Sequence, residues 1–260
     1  MKVLILEDAA AAVARAAGLV SATVISRPEI VLGLATGGTM LPLYADLRRR
    51  HAEGSLSFAG VTTFNLDEYV GLAPAHPGSY HTYMREALFD HVDIDPARTH
   101  LPRGDAADPR AEAQRYEQAI TDRGGIDLQL LGIGRNGHIG FNEPTSSLGS
   151  RTRIKTLTIE TREANRRYFT EGEEVPRYAL SMGIGTIMEA RACLLLATGS
   201  TKAEACARMI EGAIGAACPA TALQMHPRVT AVLDREAAAA LELKDYYDHV
   251  HPEGGDTVFD

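Results

Sequence analysis

Three short stretches combine residue types that can move protons or hold an anion. Asp67 and Glu68 stand side by side after a run that reads as a strand. Two adjacent carboxylates are costly to leave unsolvated together, so one of them is expected to have a task or a specific partner, and Asp67 is the candidate general base. Taken alone, an Asp-Glu pair in a loop reads as ordinary surface. Asn136, His138 and Glu143 share one glycine-rich loop. Imidazole titrates near neutrality and can carry a proton both ways, while a nearby carboxylate orients it and stabilises its charged form. The third stretch is Thr36-Gly37-Gly38-Thr39. Its glycines let backbone N–H groups turn toward an anion, its hydroxyls add donors, and the helix expected to follow presents a positive dipole end, so it reads as a phosphate cradle or as a tight strand-to-helix turn.

Two motif matches fail on context. Residues 33–39 nearly fit the nucleotide P-loop, but Thr39 stands where that motif needs Lys. Residues 132–137 read G-x-G-x-x-G, yet Gly137, Gly140 and Pro144 interrupt the helix that a dinucleotide fingerprint must open. The better reading is an irregular loop that points His138 and Glu143 into one pocket. No histidine falls in an H-E-x-x-H or similar spacing, so no metal is expected. Lys202, after a Gly-Ser turn, and Arg167 can each neutralise a phosphate, although most Lys and Arg are solvated surface charges.

Positioning these groups falls to short apolar runs that alternate with helical patterns. That alternation predicts an α/β fold: a single Rossmann-like domain over residues 1–260, with a mostly parallel sheet flanked by helices. Strands are expected at 3–6, 30–35, 61–65, 127–133, 192–198 and 229–233, with helices at 40–51, 79–91, 106–123, 202–211 and 236–243. An Ala-rich helix follows the first strand and ends before Pro28. The charged segment with Gly172 and Pro176, about 158–180, reads as a mobile helical lid or as a plain solvated helix and loop. A net charge of −8 argues against a nucleic-acid surface. Three scattered cysteines fit a reducing cytoplasm, and with no run approaching the ~20 apolar residues of a bilayer span, no membrane is expected.

At these loops the chain resembles the glucosamine-6-phosphate deaminase family. The likeness rests on 32–39, 65–69, 132–144, 150–157 and 199–203, in order, and extends from about residue 3 to about residue 244. It implies a Rossmann-like fold, no cofactor, and a hydrolase/isomerase that converts glucosamine 6-phosphate to fructose 6-phosphate and ammonia. It also implies roles: Asp67 as the base at C2, His138 as the ring-opening catalyst supported by Asn136 and Glu143, and Thr36, Gly37, Gly38, Thr39, Arg167 and Lys202 as the grip on the phosphate and sugar. Many family members carry Asp at position 136; Asn there accepts a hydrogen bond but adds no negative charge, leaving Glu143 as the nearby carboxylate. Ser146, Arg153 and Lys155 match positions where hexameric members bind N-acetylglucosamine 6-phosphate as an activator, but residues 244–248 depart from the family's tail. A homo-oligomer, up to a hexamer, is implied. Two alternatives stand beside the deaminase: a 6-phosphogluconolactonase and a non-catalytic sugar-phosphate sensor. Asp67-Glu68 and the loop's Phe-Asn-Glu-Pro ending favour the deaminase.

Overall fold

In the computed structural model, which describes residues 1–257, strands and helices alternate along most of the chain. In chain order they are β1 (Lys2–Leu6), α1 (Ala9–Ser26), β2 (Val31–Leu34), α2 (Met40–Ala52), β3 (Thr62–Asn65), β4 (Asp67–Tyr69), α3 (Tyr80–Ala87), β5 (Thr99–His100) and α4 (Pro109–Asp122). The second half continues with β6 (Leu128–Leu131), β7 (Arg153–Thr156), α5 (Ile159–Asn165), β8 (Tyr178–Ser181), α6 (Ile184–Met188), β9 (Cys193–Ala197), α7 (Ala203–Glu211), β10 (Val229–Asp234) and α8 (Lys244–Val250).

Seven strands form one parallel sheet in the order β1-β10-β9-β6-β2-β3-β5. Its central strands are Leu- and Val-rich with no polar face, because helices cover both sides and every side chain is buried. From β2 the chain order runs outward one way through β3 to β5, while β6, β9 and β10 lie the other way. A crevice therefore opens at the carboxyl ends of β2 and β6, where ligands bind in such sheets.

Local chemistry explains most boundaries. Asp8, Ser79 and Asp108 each cap a helix by accepting backbone N–H groups, and Pro109 occupies the first turn of α4. The apolar α1 is long enough, by length and composition, to cross a bilayer, so the sequence expectation about apolar runs was too strict. Instead α1 packs on β1, β9 and β10, burying Ala12, Ala16, Ala17, Val20 and Val24.

Three expectations are corrected. Residues 67–69 are not loop but β4, which pairs antiparallel with β8, and β8 with β7, in a small second sheet. Residues 79–91 break at Leu88, where α3 gives way to a 3-10 turn at Phe89–His91. Residues 236–243 form turns: the Glu211 carboxylate takes the N–H groups of Glu242 and Leu243, which a helix would have used, and α8 begins only afterwards.

The two sheets are linked through Leu66, and Gly104, in the loop after β5, lies against the end of β4. A Cβ at that position would sit 2.1 Å from the Tyr69 carbonyl oxygen and 2.9 Å from that of Leu72. Backbone cannot retreat as a flexible side chain can. Gly104→Ala should therefore lower stability by about 1–3 kcal/mol, read as a fall in the urea unfolding midpoint.

Candidate active site

A cleft of about 1260 Å³ opens at the carboxyl ends of β2, β3, β6 and β9. Thr36, Gly37, Gly38, Thr39, Asp67, Asn136, His138, Arg167 and Lys202 all line it, so residues read from five separate stretches converge. Glu143 does not line it. That carboxylate is 3% exposed and lies behind the loop, which corrects the expectation that His138 and Glu143 point into one pocket.

The two neighbouring carboxylates have opposite fates. Glu68 is fully buried, and its oxygens accept the N–H groups of Tyr69 (2.8 Å), Tyr80 (3.0 Å) and His81 (3.1 Å) and contact the His81 ring at 2.8 Å. It anchors the start of α3. Asp67, on the alternate face of β4, is 5% exposed. Burial, then the neighbouring Glu68 charge, pushes the Asp67 carboxyl from 3.8 to about 8, against a lowering contact from the Phe141 N–H. Asp67 is thus a stronger base than an ordinary carboxylate.

Behind His138 runs a fixed relay. Asn136 donates its amide Nδ2 to Glu143 Oε2 at 2.8 Å, because a carboxylate can only accept. Its Oδ1 must then face the other way, where it meets His138 Nδ1 at 2.8 Å. Asn136 therefore sets the tautomer: Nδ1 carries the proton and Nε2 is left as the working nitrogen. Glu143 Oε2 lies 3.5 Å from the same Nδ1, so the negative charge sits close without taking the hydrogen bond. Burial would raise the Glu143 carboxyl, but His138, Thr161 and Asn136 overcome it and hold it down to about 2. Gly134 is required by close approach, since a Cβ there would lie 2.2 Å from the His138 ring. The intervening loop contains no helix, as its glycines and Pro144 led us to expect.

At the opposite wall, β2 runs into Thr36-Gly37-Gly38-Thr39, with Gly37 at φ +108°, a conformation that disfavours any side chain. Unlike α1, α3 and α4, helices α2 and α7 start at the cleft with no side-chain cap; the Met40 and Ala203 N–H groups bond the Gly37 and Ser200 carbonyls, so what these helix starts offer an anion is their positive dipole ends. Lys202 reaches over β6, donating from Nζ to the Ile133 carbonyl at 2.8 Å. Burial and the charges of Arg135 and Arg167 lower its pKa. Among the described residues no carboxylate pairs with these three cations, an arrangement that can seat a multiply charged anion. In the sequence Arg135 is only one residue of the loop; its charge becomes interpretable once Lys202 and Arg167 stand beside it. Tyr80, also in the cleft, and Thr158 and Thr161, which hold Glu143, carried no sequence signal.

Residues 159–168 roof the cleft, with Arg167 and Tyr168 facing Gly38. Phe169 and Val175 anchor the segment on Tyr69, Phe141 and Leu157. Ser146, Arg153 and Lys155 lie outside the cleft. Ser146 Oγ and Arg153 Nη2 are buried without a hydrogen-bond partner, and burial, then the Arg153 charge, lowers the Lys155 pKa.

A parallel α/β sheet whose switch-point cleft joins a phosphate seat to a buried base and an oriented imidazole defines an acid–base site for a small phosphorylated molecule. The comparisons agree. The chain belongs to the family described as glucosamine-6-phosphate isomerases/6-phosphogluconolactonase, whose model matches residues 6–232. The glucosamine-6-phosphate deaminase of Hahella chejuensis is 57% identical over 227 residues, covering 87% of each chain. That of Cellvibrio japonicus is 53% identical over 253 residues, covering 97% of this chain and 96% of its own. A solved structure described as a monomeric glucosamine-6-phosphate deaminase superposes with a TM-score of 0.90 at 48% identity, covering 92% of this chain and 100% of that one. The 6-phosphogluconolactonase of Trypanosoma brucei shares the fold, with a TM-score of 0.71 at 20% identity over 92% of this chain and 98% of its own. The relatives favour the deaminase reading over the lactonase, and the hydrolase label finds no support beside the isomerase designation.

Asp67 leaves a thermodynamic signature. Between about pH 4 and 8 the native state keeps a proton that the unfolded chain has released, so this group makes stability fall as pH rises through that window. Asp67→Asn removes the effect. Urea midpoints of the variant and the wild type should agree near pH 4 and diverge toward pH 8, with the variant the more stable.

Proposed function

We propose that this chain converts glucosamine 6-phosphate and water to fructose 6-phosphate and ammonia. The observation that carries this reading is the meeting, in one cleft, of the three-cation seat with the buried Asp67 carboxyl and the His138 relay. In this scheme Thr36, Gly37, Gly38, Thr39, Arg167 and Lys202 hold the phosphate end, fixing the sugar so that C1 and C2 meet the catalytic groups. His138, through Nε2, moves a proton from O1 to O5 and opens the ring. Only then is there a carbonyl at C1 to acidify the C2 proton. Asp67 takes that proton, the electron pair shifts to form the enolamine, and Asp67 returns a proton at C1. Water adds to the resulting C2 iminium and ammonia leaves. Glu143 and Asn136 hold the imidazole rather than touch substrate.

Location and regulation belong to the same proposal. The three buried free thiols fit a cytoplasmic enzyme. The roof over about 158–180 acts as a mobile lid. The expectation of a homo-oligomer, up to a hexamer, faces a similar solved protein described as monomeric, and light scattering decides between them. Activation by N-acetylglucosamine 6-phosphate would run through Ser146, Arg153 and Lys155, where Ser146 Oγ and Arg153 Nη2 are buried without a hydrogen-bond partner. Substrate saturation curves unchanged by that compound would remove it.

The decisive assay follows ammonia release from glucosamine 6-phosphate. The wild type should turn over, and Asp67→Asn should lose at least about 10²-fold in kcat while still binding the sugar phosphate. Hydrolysis of 6-phosphogluconolactone without ammonia release from the amino sugar would establish the lactonase instead. Tight binding of the sugar phosphate with neither reaction would establish the sensor.

A further inference from the structure

Glu143 is held from two directions. Asn136 donates to Oε2 from the catalytic loop, while Oε1 takes the Thr161 hydroxyl and, more loosely, the Thr158 hydroxyl (3.2 Å) and N–H (3.5 Å). Thr161 belongs to the roof, and Thr158 immediately precedes it. Thr158 caps α5, accepting the Thr161 N–H at 3.2 Å, and Thr161 turns its buried side toward the body of the protein while Ile159 stands 73% exposed. The contact between α5 and the body is thus polar, and it falls on a carboxylate already committed to the His138 relay.

The other end of the same segment approaches the phosphate seat. Arg167 and Tyr168 lie in the turn Arg166–Tyr168, directly after α5, with Arg167 Nη2 3.4 Å and Tyr168 OH 3.5 Å from where a Cβ on Gly38 would stand. A short, continuous piece of backbone therefore touches the phosphate loop at one end and the carboxylate behind His138 at the other.

We propose that Thr161 is a positioning residue: carried on the helix that roofs the cleft, its hydroxyl seats the Glu143 carboxylate against Asn136 and so ties the grip on the substrate phosphate to the orientation of the His138 ring. The catalytic part of this inference rests on the deaminase reading; the seating of Glu143 does not. A ligand that draws Arg167 toward the phosphate loop settles α5, and the settled α5 completes the donor set of Glu143. Without the hydroxyl the carboxylate loses its strongest contact on the roof side, Asn136 loses a fixed acceptor, and its amide no longer has one enforced orientation.

The test compares wild type with Thr161→Val, which removes the hydroxyl at nearly constant shape, and Thr161→Ser, which keeps it. With glucosamine 6-phosphate, Thr161→Val should lose about tenfold or more in kcat, the order expected for a lost hydrogen bond to a charged group, with KM within about twofold. Thr161→Ser should recover most of that loss. A valine variant with unchanged kcat, one altered in KM alone, or a serine variant no better than valine would each overturn the proposal, since a residue that merely packs the roof produces those patterns. The second readout needs no turnover: in histidine-labelled protein, the His138 Nδ1–H resonance should shift in Thr161→Val and return in Thr161→Ser. A wild type that releases no ammonia sinks the deaminase reading while the resonance still decides the seating, and an unmoved resonance sinks the seating.

Discussion

Two neighbouring carboxylates cannot both be withdrawn from water as unpartnered charges, and much of the site follows from how the fold separates Asp67 from Glu68. Because they are consecutive on β4, their side chains leave on opposite faces. Glu68 meets the N–H groups that begin α3 and is satisfied. Asp67 faces the cleft with little to stabilise its charge, and the fixed negative charge beside it adds to the effect of burial. One residue thus supplies both the architecture around the base and part of the base's strength. The small antiparallel sheet presents this strand, with the loop at Gly104 packed closely against its end.

The phosphate seat obeys the converse rule. Lys202, Arg135 and Arg167 gather in one cleft, and Lys202 finds a carbonyl rather than a carboxylate. Such repulsion is tolerable in a folded chain when a ligand relieves it, and the starts of α2 and α7 add dipole ends of the same sign. A protein of net charge −8 has abundant acid with which to neutralise these cations, so their isolation from it is informative. In the proposed reaction, binding at this end is remote from C1 and C2, where orientation is needed.

Between the two lies the imidazole, and here the Asn at position 136 loses its ambiguity. An Asp would repel Glu143; the amide bridges it, giving one face to the carboxylate and the other to the ring. Charge stabilisation then comes from Glu143 at 3.5 Å, and orientation from Asn136 at 2.8 Å. Dividing those contacts between two residues makes the orientation of the ring depend on how Glu143 itself is held, and Thr158 and Thr161 hold it.

Strand and helix alternation, the turn chemistry of 36–39 and the broken G-x-G-x-x-G were written locally, because caps, glycines and apolar runs act over a few residues; from them came the parallel sheet, the anion loop and the refusal of a dinucleotide. Resemblance in ordered motifs added the substrate class. Other features were invisible for a physical reason: they depend on partners far apart in sequence. The β4 strand looks like loop in the sequence because its pairing partner lies more than a hundred residues on. Residues 236–243 look helical until the Glu211 carboxylate takes the last two N–H groups, those of Glu242 and Leu243. Thr161 and Arg135 are ordinary residues until Glu143 and Lys202 stand beside them. The sequence by itself determined which residue types were available at each strand end; the tertiary structure decided which carboxylate is satisfied and which is strained, since that turns on burial and on hydrogen-bond partners that only the folded chain brings together.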